Sequence, residues 1–213
     1  GAVEKFFMHQ DTLLYEIENY EGTSLLTLDM RDINNFDSFG KKYSLTKEKE
    51  FVILRYAKGE FIRYIVIKTN ASYTLQDKWT EHFFEFDKKR GNAPLSWYIY
   101  EAFLFKIIGS AKIVITTSDD KEKAMKEANE VYYSSELLKA QKENNVKRLF
   151  RKNISIKNID VAYKCSLKSL DDLTVDLEEL KGIYAGLPWF FQIWTRDEAI
   201  SLGAFIKEQR YDH

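Results

Sequence analysis

Only one cysteine, Cys165, stands among the 213 residues, so an intramolecular disulfide is impossible. A reducing, cytoplasmic setting is the expectation that follows. No apolar run approaches the roughly 20 residues of a membrane helix, and no secretory segment opens the sequence. No membrane partner is expected. Lys and Arg number 32 against 33 Asp and Glu, a net charge of −1. Such a balance gives no electrostatic footprint for nucleic acid. The three histidines, His9, His82 and His213, have no ligand spacing, so no metal site is expected. There is no phosphate-cradling Gly-rich loop and no G-x-S-x-G nucleophile elbow. Prolines number only two, and the second, Pro188, lies in the most distinctive segment of the chain.

What is present is an ordinary supply of core material, 45% hydrophobic and 31% charged, with a high aromatic share of 15%. Aromatic enrichment suits β-structure or carbohydrate contacts. From Leu13 to about Thr117, short apolar runs alternate with turn-like clusters. Candidate strands are Leu13–Glu18, Ser24–Met30, Phe51–Ala57, Phe61–Lys68, Tyr73–Gln76, Thr80–Phe86, Trp97–Ile107 and Lys112–Thr117. Period-two spacing puts Trp97, Ile99, Phe103, Phe105 and Ile107 on one face. Glu21-Gly22, Lys58-Gly59, Arg90-Gly91-Asn92 and Gly109-Ser110 mark turns. Asp32–Gly40 is polar and reads as an exposed loop. The pattern predicts a mainly β amino-terminal domain over residues 1–118, an antiparallel β-sandwich.

After Ser118 the texture changes. Asp119–Arg151 is rich in Lys, Glu and Ala and free of Gly and Pro, which predicts an α-helical linker over residues 119–153. Met125, Ala128, Val131, Tyr132, Ser135 and Leu138 share its apolar face. A break is expected near Asn144-Asn145, with Val146–Phe150 as a separate turn. Ile156, Ile159, Tyr163, Leu167, Leu170 and Leu173 mark a second amphipathic helix. Cys165 sits on it, and with no histidine nearby its expected role is packing. Asp171-Asp172 and Glu178-Glu179 read as solvated surface.

Gly186-Leu187-Pro188-Trp189-Phe190 and Trp194-Thr195-Arg196-Asp197 follow within a few residues of each other. Pro188 holds its own φ and pushes Leu187 to an extended conformation, so no helix runs through. Thr195 with Glu198 three residues on reads as a capping box that opens a helix over Arg196–Lys207. Ala199, Ile200, Gly203 and Ile206 form its expected buried stripe. Two readings of the segment stand side by side. In one, it is a helix start with acidic residues serving the dipole and aromatics in the core. In the other, Trp189 and Trp194 offer ring faces to a sugar, while Arg196 and Asp197 offer donors and acceptors to its hydroxyls.

Gly-x-Pro-Trp-Phe, a short spacer and Trp-x-Arg-Asp before an apolar helix resembles the start of the catalytic domain of amylo-α-1,6-glucosidases, the glycogen-debranching family. The Trp-Thr-Arg-Asp core is also similar to the corresponding motif of glucoamylases, which share a barrel of paired helices. Asp29-Met30-Arg31-Asp32 more faintly resembles an Asp-x-Arg segment of the amino-terminal sandwich in debranching enzymes; an edge-strand ion pair is an equal reading. The resemblance implies that Arg196 and Asp197 bind hydroxyls of a terminal glucose, with Trp194 and Trp189 lining the pocket. It implies a branched α-glucan or malto-oligosaccharide as substrate, no cofactor, and inversion at the anomeric carbon.

Glycoside hydrolysis by the usual route needs two carboxylates across the scissile bond, and nothing after Asp197 supplies that pair. Twelve helices of about 12 residues with connections of about 5 need on the order of 200 residues. Only 60 residues follow Asn153. Residues 154–213 are therefore expected to be the first helices of an incomplete (α/α)6 barrel, in an amino-terminal fragment inactive by itself. The alternative from another class is a non-catalytic β-sandwich module that binds α-glucan or a partner, with Trp79 and Trp97 as an aromatic platform.

Overall fold

A computed structural model describes residues 1–30, 36–150, 152–177, 180–186 and 192–210. The protein is mainly β, with one large antiparallel sheet and four helices among the described residues. It divides into two compact units, residues 1–139 and 140–213.

The first unit holds β1 (Val3–His9), β2 (Thr12–Leu28), β3 (Lys42–Glu48), β4 (Phe51–Lys58), β5 (Phe61–Thr69), β6 (Ser72–Phe83) and β7 (Ser96–Ser118), with α1 (Glu85–Arg90) before β7. The order across the sheet is β1-β2-β7-β5-β4-β3, and β6 pairs with β7 as well. β7 has 23 residues and works as two strands in one. Its Ile113–Ser118 part pairs with β5, its Ser96–Lys106 part pairs with β6, and β2 accompanies it along the other edge. Asn70 sits where the chain passes from β5 to β6. Its N–H donates to the Lys112 carbonyl and its Oδ1 accepts the Lys112 N–H at 2.8 Å, so the gap between the two pairings is closed.

The sheet doubles over. Tyr43 on β3 lies three strands from β7, about 14 Å at the usual spacing of a flat sheet. Its ring nevertheless stacks on that of Tyr100 of β7, with centroids 4.1 Å apart. Bulges supply the bending. Asn19 (φ +55) is the extra residue of β2 opposite Gly109 (φ +81), and the register between Leu26-Thr27 and Phe103-Glu101 leaves Ala102 over. The Cβ-free Gly109 takes the left-handed conformation at no steric cost. Each bulge also exchanges the faces of its strand. Hence Ile17 faces the inner core before Asn19, and Leu26 and Leu28 face it afterwards. Phe103, Phe105 and Ile107 lie in this core together, but beyond Ala102 it is Tyr100, not Ile99, that joins them. The single face expected for Trp97 through Ile107 is therefore broken.

Three pairs of expected strands are also fused, Tyr73–Gln76 and Thr80–Phe86 among them, which run together in β6 as far as Phe83. Glu21-Gly22 is inside β2, where the Tyr20 side chain lies over Gly22; a Cβ would meet its hydroxyl at 2.6 Å and its ring at 2.8 Å. Gly109-Ser110 is inside β7 at the bulge just described. Lys58-Gly59 does turn, joining β4 to β5 with Gly59 at φ +58. The expected loop at Asp32–Gly40 is described only from Phe36, where it is irregular until β3.

The outer face of the same sheet carries a second core. Leu14, Phe51, Ile53, Val66 and Val114 are covered by Ala124, Ala128, Val131 and Leu138 of α2 (Lys121–Leu149). Met125 and Tyr132 pack at its margin, so the predicted helix face is the buried one. The helix does not stop at Asn144-Asn145. Asparagine lowers helix propensity by well under about 1 kcal/mol, which does not end a helix otherwise rich in good formers. Its departure from helical geometry is at Ser134 instead.

The second unit contains α3 (Lys157–Leu173), a short hairpin of β8 (Thr174–Leu177) and β9 (Leu180–Ile183), and α4 (Thr195–Lys207). Its helices are amphipathic as expected, yet the apolar stripes are not buried. α3 buries Leu167 while Ile156 and Ile159 are exposed, and α4 buries Phe205 while Ile200 is 72% exposed. Ala199 and Gly203 are exposed too. Cys165 is exposed rather than packed.

Candidate functional site

Trp194, Arg196 and Asp197 are positioned by the hairpin that precedes them and by the helix that follows. Tyr184 N–H donates to the Leu173 carbonyl, and Ala185 N–H donates to the Gln192 carbonyl at 2.9 Å. The second bond pins the stem of the segment between them. Gly182 on β9 lies against Ile193; a Cβ there would collide with the Ile193 Cδ1 and come within 2.9 Å of Leu177 Cδ1. The absent side chain at 182 thus lets Ile193 seat on the hairpin, which fixes Trp194 beside it. Trp189, with Leu187, Pro188, Phe190 and Phe191, lies outside the described residues.

α4 starts at Thr195, with Trp194 in the N-cap place in extended conformation (φ −107, ψ 121). No side chain caps it. The predicted capping box is not formed, because Thr195 is itself the first helical residue and cannot fold back over the turn. The Glu198 N–H donates instead to the Trp194 carbonyl at 2.9 Å. Asp197 and Glu198 remain in the first turn, where negative charge suits the helix dipole.

The Arg196 side chain is 77% exposed and its Nη2 lies 3.3 Å from Asp197 Oδ2. An ion pair between sequence neighbours on such an exposed surface contributes under about 1 kcal/mol, so its stabilising role is slight. Trp194 is 43% exposed. Three of the four residues singled out in the sequence therefore come to the surface together at one helix start. They offer an indole face, a guanidinium and a carboxylate, which are suited to a polyhydroxylated ligand.

A cleft among the described residues of the second unit lies elsewhere. A space of about 200 Å³ is lined by Tyr163, Leu167 and Leu170 of α3 and by Ala204, Lys207 and Glu208 at the far end of α4. Eleven residues of helix, about 16 Å, separate Arg196 from Lys207. At the cleft Tyr163 Oη donates to Glu208 Oε2 at 2.7 Å, and this bond pushes the phenol up to about 12. The tyrosine-carboxylate pair escaped sequence reasoning, since 45 residues part the two. Asp171, expected as solvated surface, accepts from Arg210 Nη2 at 2.8 Å in a partly buried pair, while Asp172 pairs with Lys168. Glu178 and Glu179 are outside the described residues. No group of three or more His, Cys, Asp or Glu able to hold a metal occurs among the described residues.

The two indoles proposed as a platform do not share a surface. Trp79 pairs with Tyr100 and packs into the inner core, its ring 5.6 Å from Tyr43 and 5.5 Å from Tyr100. Trp97 pairs with His82, so by alternation it faces the other side, where its ring stacks on His82 at 6.3 Å and meets Phe84 at 3.6 Å. On that face Glu101 is held below the usual carboxylate range by bonds from Thr80 and Lys78.

No family model, no curated protein and no solved structure matches the chain. No helix among the described residues is long and apolar enough to cross a membrane.

Proposed function

We propose that this chain is the amino-terminal part of a glycogen-debranching amylo-α-1,6-glucosidase, in which a β-sandwich precedes the opening helices of an (α/α)6 barrel. The observation that carries the reading is the start of α4. Trp194 and Arg196 are exposed there and Asp197 is partly exposed, and the resemblance assigns these three residues to a terminal-glucose subsite. Apolar residues on opposite sides of the same helix support it, since Ile200, Leu202 and Ile206 are exposed, as are Ile159 and Val161 of α3. Helices carrying such stripes are suited to neighbours on both sides, as in a ring of paired helices. In the proposed enzyme Arg196 and Asp197 hold hydroxyls of the glucose at an α-1,6 branch, and Trp194 covers its C–H face. The acid and base come from further helices, and hydrolysis needs no cofactor.

The test uses the complete enzyme and a branched dextrin, with glucose release as readout. Each charge-assisted hydrogen bond contributes about 1.5–3 kcal/mol in a shielded pocket, so Arg196→Ala or Asp197→Ala lowers kcat/KM at least about tenfold. Thr195→Ala, which removes no cap bond, leaves both activity and stability nearly unchanged. Retention of wild-type kcat/KM by both Arg196→Ala and Asp197→Ala sinks the assignment. The 213-residue chain alone is expected to release no glucose.

A further inference from the structure

α2 leaves helical geometry at Ser134, with φ −106 and ψ 15. Helix kinks arise at proline, at Gly/Ser pairs, at π-bulges, or where a group inserts into the i→i−4 ladder. α2 has no proline or glycine and no π turn, which leaves the Ser134-Ser135 pair or an inserted group. Such a group is present. Lys112 of β7 sends its Nζ to the backbone carbonyl of Tyr132 at 2.6 Å and to Oγ of Ser135 at 2.7 Å.

The carbonyl of Tyr132 is the one that, in an unbroken helix, accepts the N–H of Glu136. A charged donor makes a stronger bond than an amide, so the ammonium competes for that carbonyl on favourable terms. Lys112 Nζ also lies 5.2 Å from the centroid of the Tyr132 ring, which favours the cation further. Serine, by contrast, ranks only modestly below alanine as a helix former, and that alone is a weak reason to leave the helix. The helix is fastened to the sheet on either side of the bend. Before it, Lys68 Nζ donates to Asn129 Oδ1 at 2.6 Å; after it, Lys139 Nζ donates to Glu16 Oε2 at 2.5 Å.

We propose that Lys112 is a wedge that sets the conformation of α2: bent at Ser134 while its ammonium occupies the Tyr132 carbonyl, continuous when it is withdrawn. The device is independent of the glucosidase reading, since every part of it lies between the sheet and the helix.

The test is NMR on the isotopically labelled full chain, reading the Cα shift of residue 134 and the amide exchange of Glu136. Lys112→Met moves Ser134 into the helical range and slows Glu136 exchange about tenfold, as the amide regains the Tyr132 carbonyl. Ser134→Ala, with Lys112 in place, keeps residue 134 outside the helical range and Glu136 exchange fast. An unchanged Ser134 shift and unchanged Glu136 exchange in Lys112→Met overturn the proposal. So does a Ser134→Ala variant whose helix becomes continuous, because the bend then belongs to the serine pair. Should Lys112→Met fail to fold, Ser134→Ala alone decides between the two causes.

Discussion

Lys68 and Glu50 form an ion pair whose two members should respond very differently to removal. The Lys68 side chain is 3% exposed and that of Glu50 51%, with Nζ and Oε1 2.6 Å apart. The ammonium also donates to Asn129 and lies 4.1 Å from the centroid of the Tyr133 ring, 4.9 Å from Tyr132 and 5.2 Å from Phe51. Glu50→Gln takes the counter-charge from a cation that stays buried. A charge-assisted bond is worth about 1.5–3 kcal/mol, and stranding a wholly buried charge costs about 3–5. The remaining rings and Asn129 soften the loss, so about 2 kcal/mol is expected. Lys68→Met removes the buried charge itself. Its thioether keeps the aromatic contacts, and the half-exposed carboxylate returns to water, so a change within about 1 kcal/mol is expected. Urea unfolding of the 213-residue chain, followed by far-ultraviolet dichroism, measures both, with the slope m checked for constancy. If Lys68→Met costs as much as Glu50→Gln or more, the desolvation reasoning is wrong and the lysine is a net source of stability.

Two further predictions concern the second unit. Gly182→Ala puts a methyl into the space of Ile193 Cδ1 and Leu177 Cδ1, and overpacking of this kind costs about 1–3 kcal/mol; Ile193→Ala in the same chain should recover most of it, as read by thermal unfolding. Tyr163 has its phenol pushed up to about 12 by the bond to Glu208. The folded state thus favours the protonated phenol, so this contribution is whole below the ordinary tyrosine value near 10 and is lost as pH rises through about 12. Tyr163→Phe should remove one late-titrating phenol from the 295 nm absorbance titration and flatten the alkaline fall in stability; an unchanged titration curve counts against the bond.

β4, β5 and the covered face of α2 were legible because each is a run whose own pattern decides its state: continuous apolar residues around a Gly59 turn, or apolar residues at helical spacing. β1 and β3 were not. Both are edge strands with few buried positions, and edges carry polar residues that blur the alternation. Gly22 and Gly109 misled for a common reason. A glycine marks a turn, a place that another atom must approach, as at Gly22, or a bulge at positive φ, as at Gly109, and only the register tells which applies. The stripe on α3 was read as amphipathic and that on α4 as buried, yet Ala199, Ile200, Gly203 and Ile206 are exposed, because periodicity reports a face and not the neighbour that covers it. Of the candidate site, the clustering of Trp194, Arg196 and Asp197 at a helix start was legible from the helix boundary alone. The cap was not, because one residue of offset decides whether Thr195 precedes the helix or belongs to it.

The 23-residue β7 has a consequence for how the chain assembles. β3, β4 and β5 follow one another through short connections and can zip together as soon as they are made. β2 must wait for β7, and Thr12 finds its partner only at Thr116, 104 residues later. Until then β2 and β6 each lack the long neighbour they will share, and pairing this distant in sequence is slow because the intervening chain must first be ordered. A nascent chain stopped shortly before residue 96 would expose two open, partly apolar strands to any other copy nearby. Release of β7 from the ribosome is thus the step that gives both strands their partner, and α2 then covers the outer face as far as Leu138, so ribosome-bound chains of increasing length should lose chaperone binding in two steps, once Ser118 and then Leu138 have emerged.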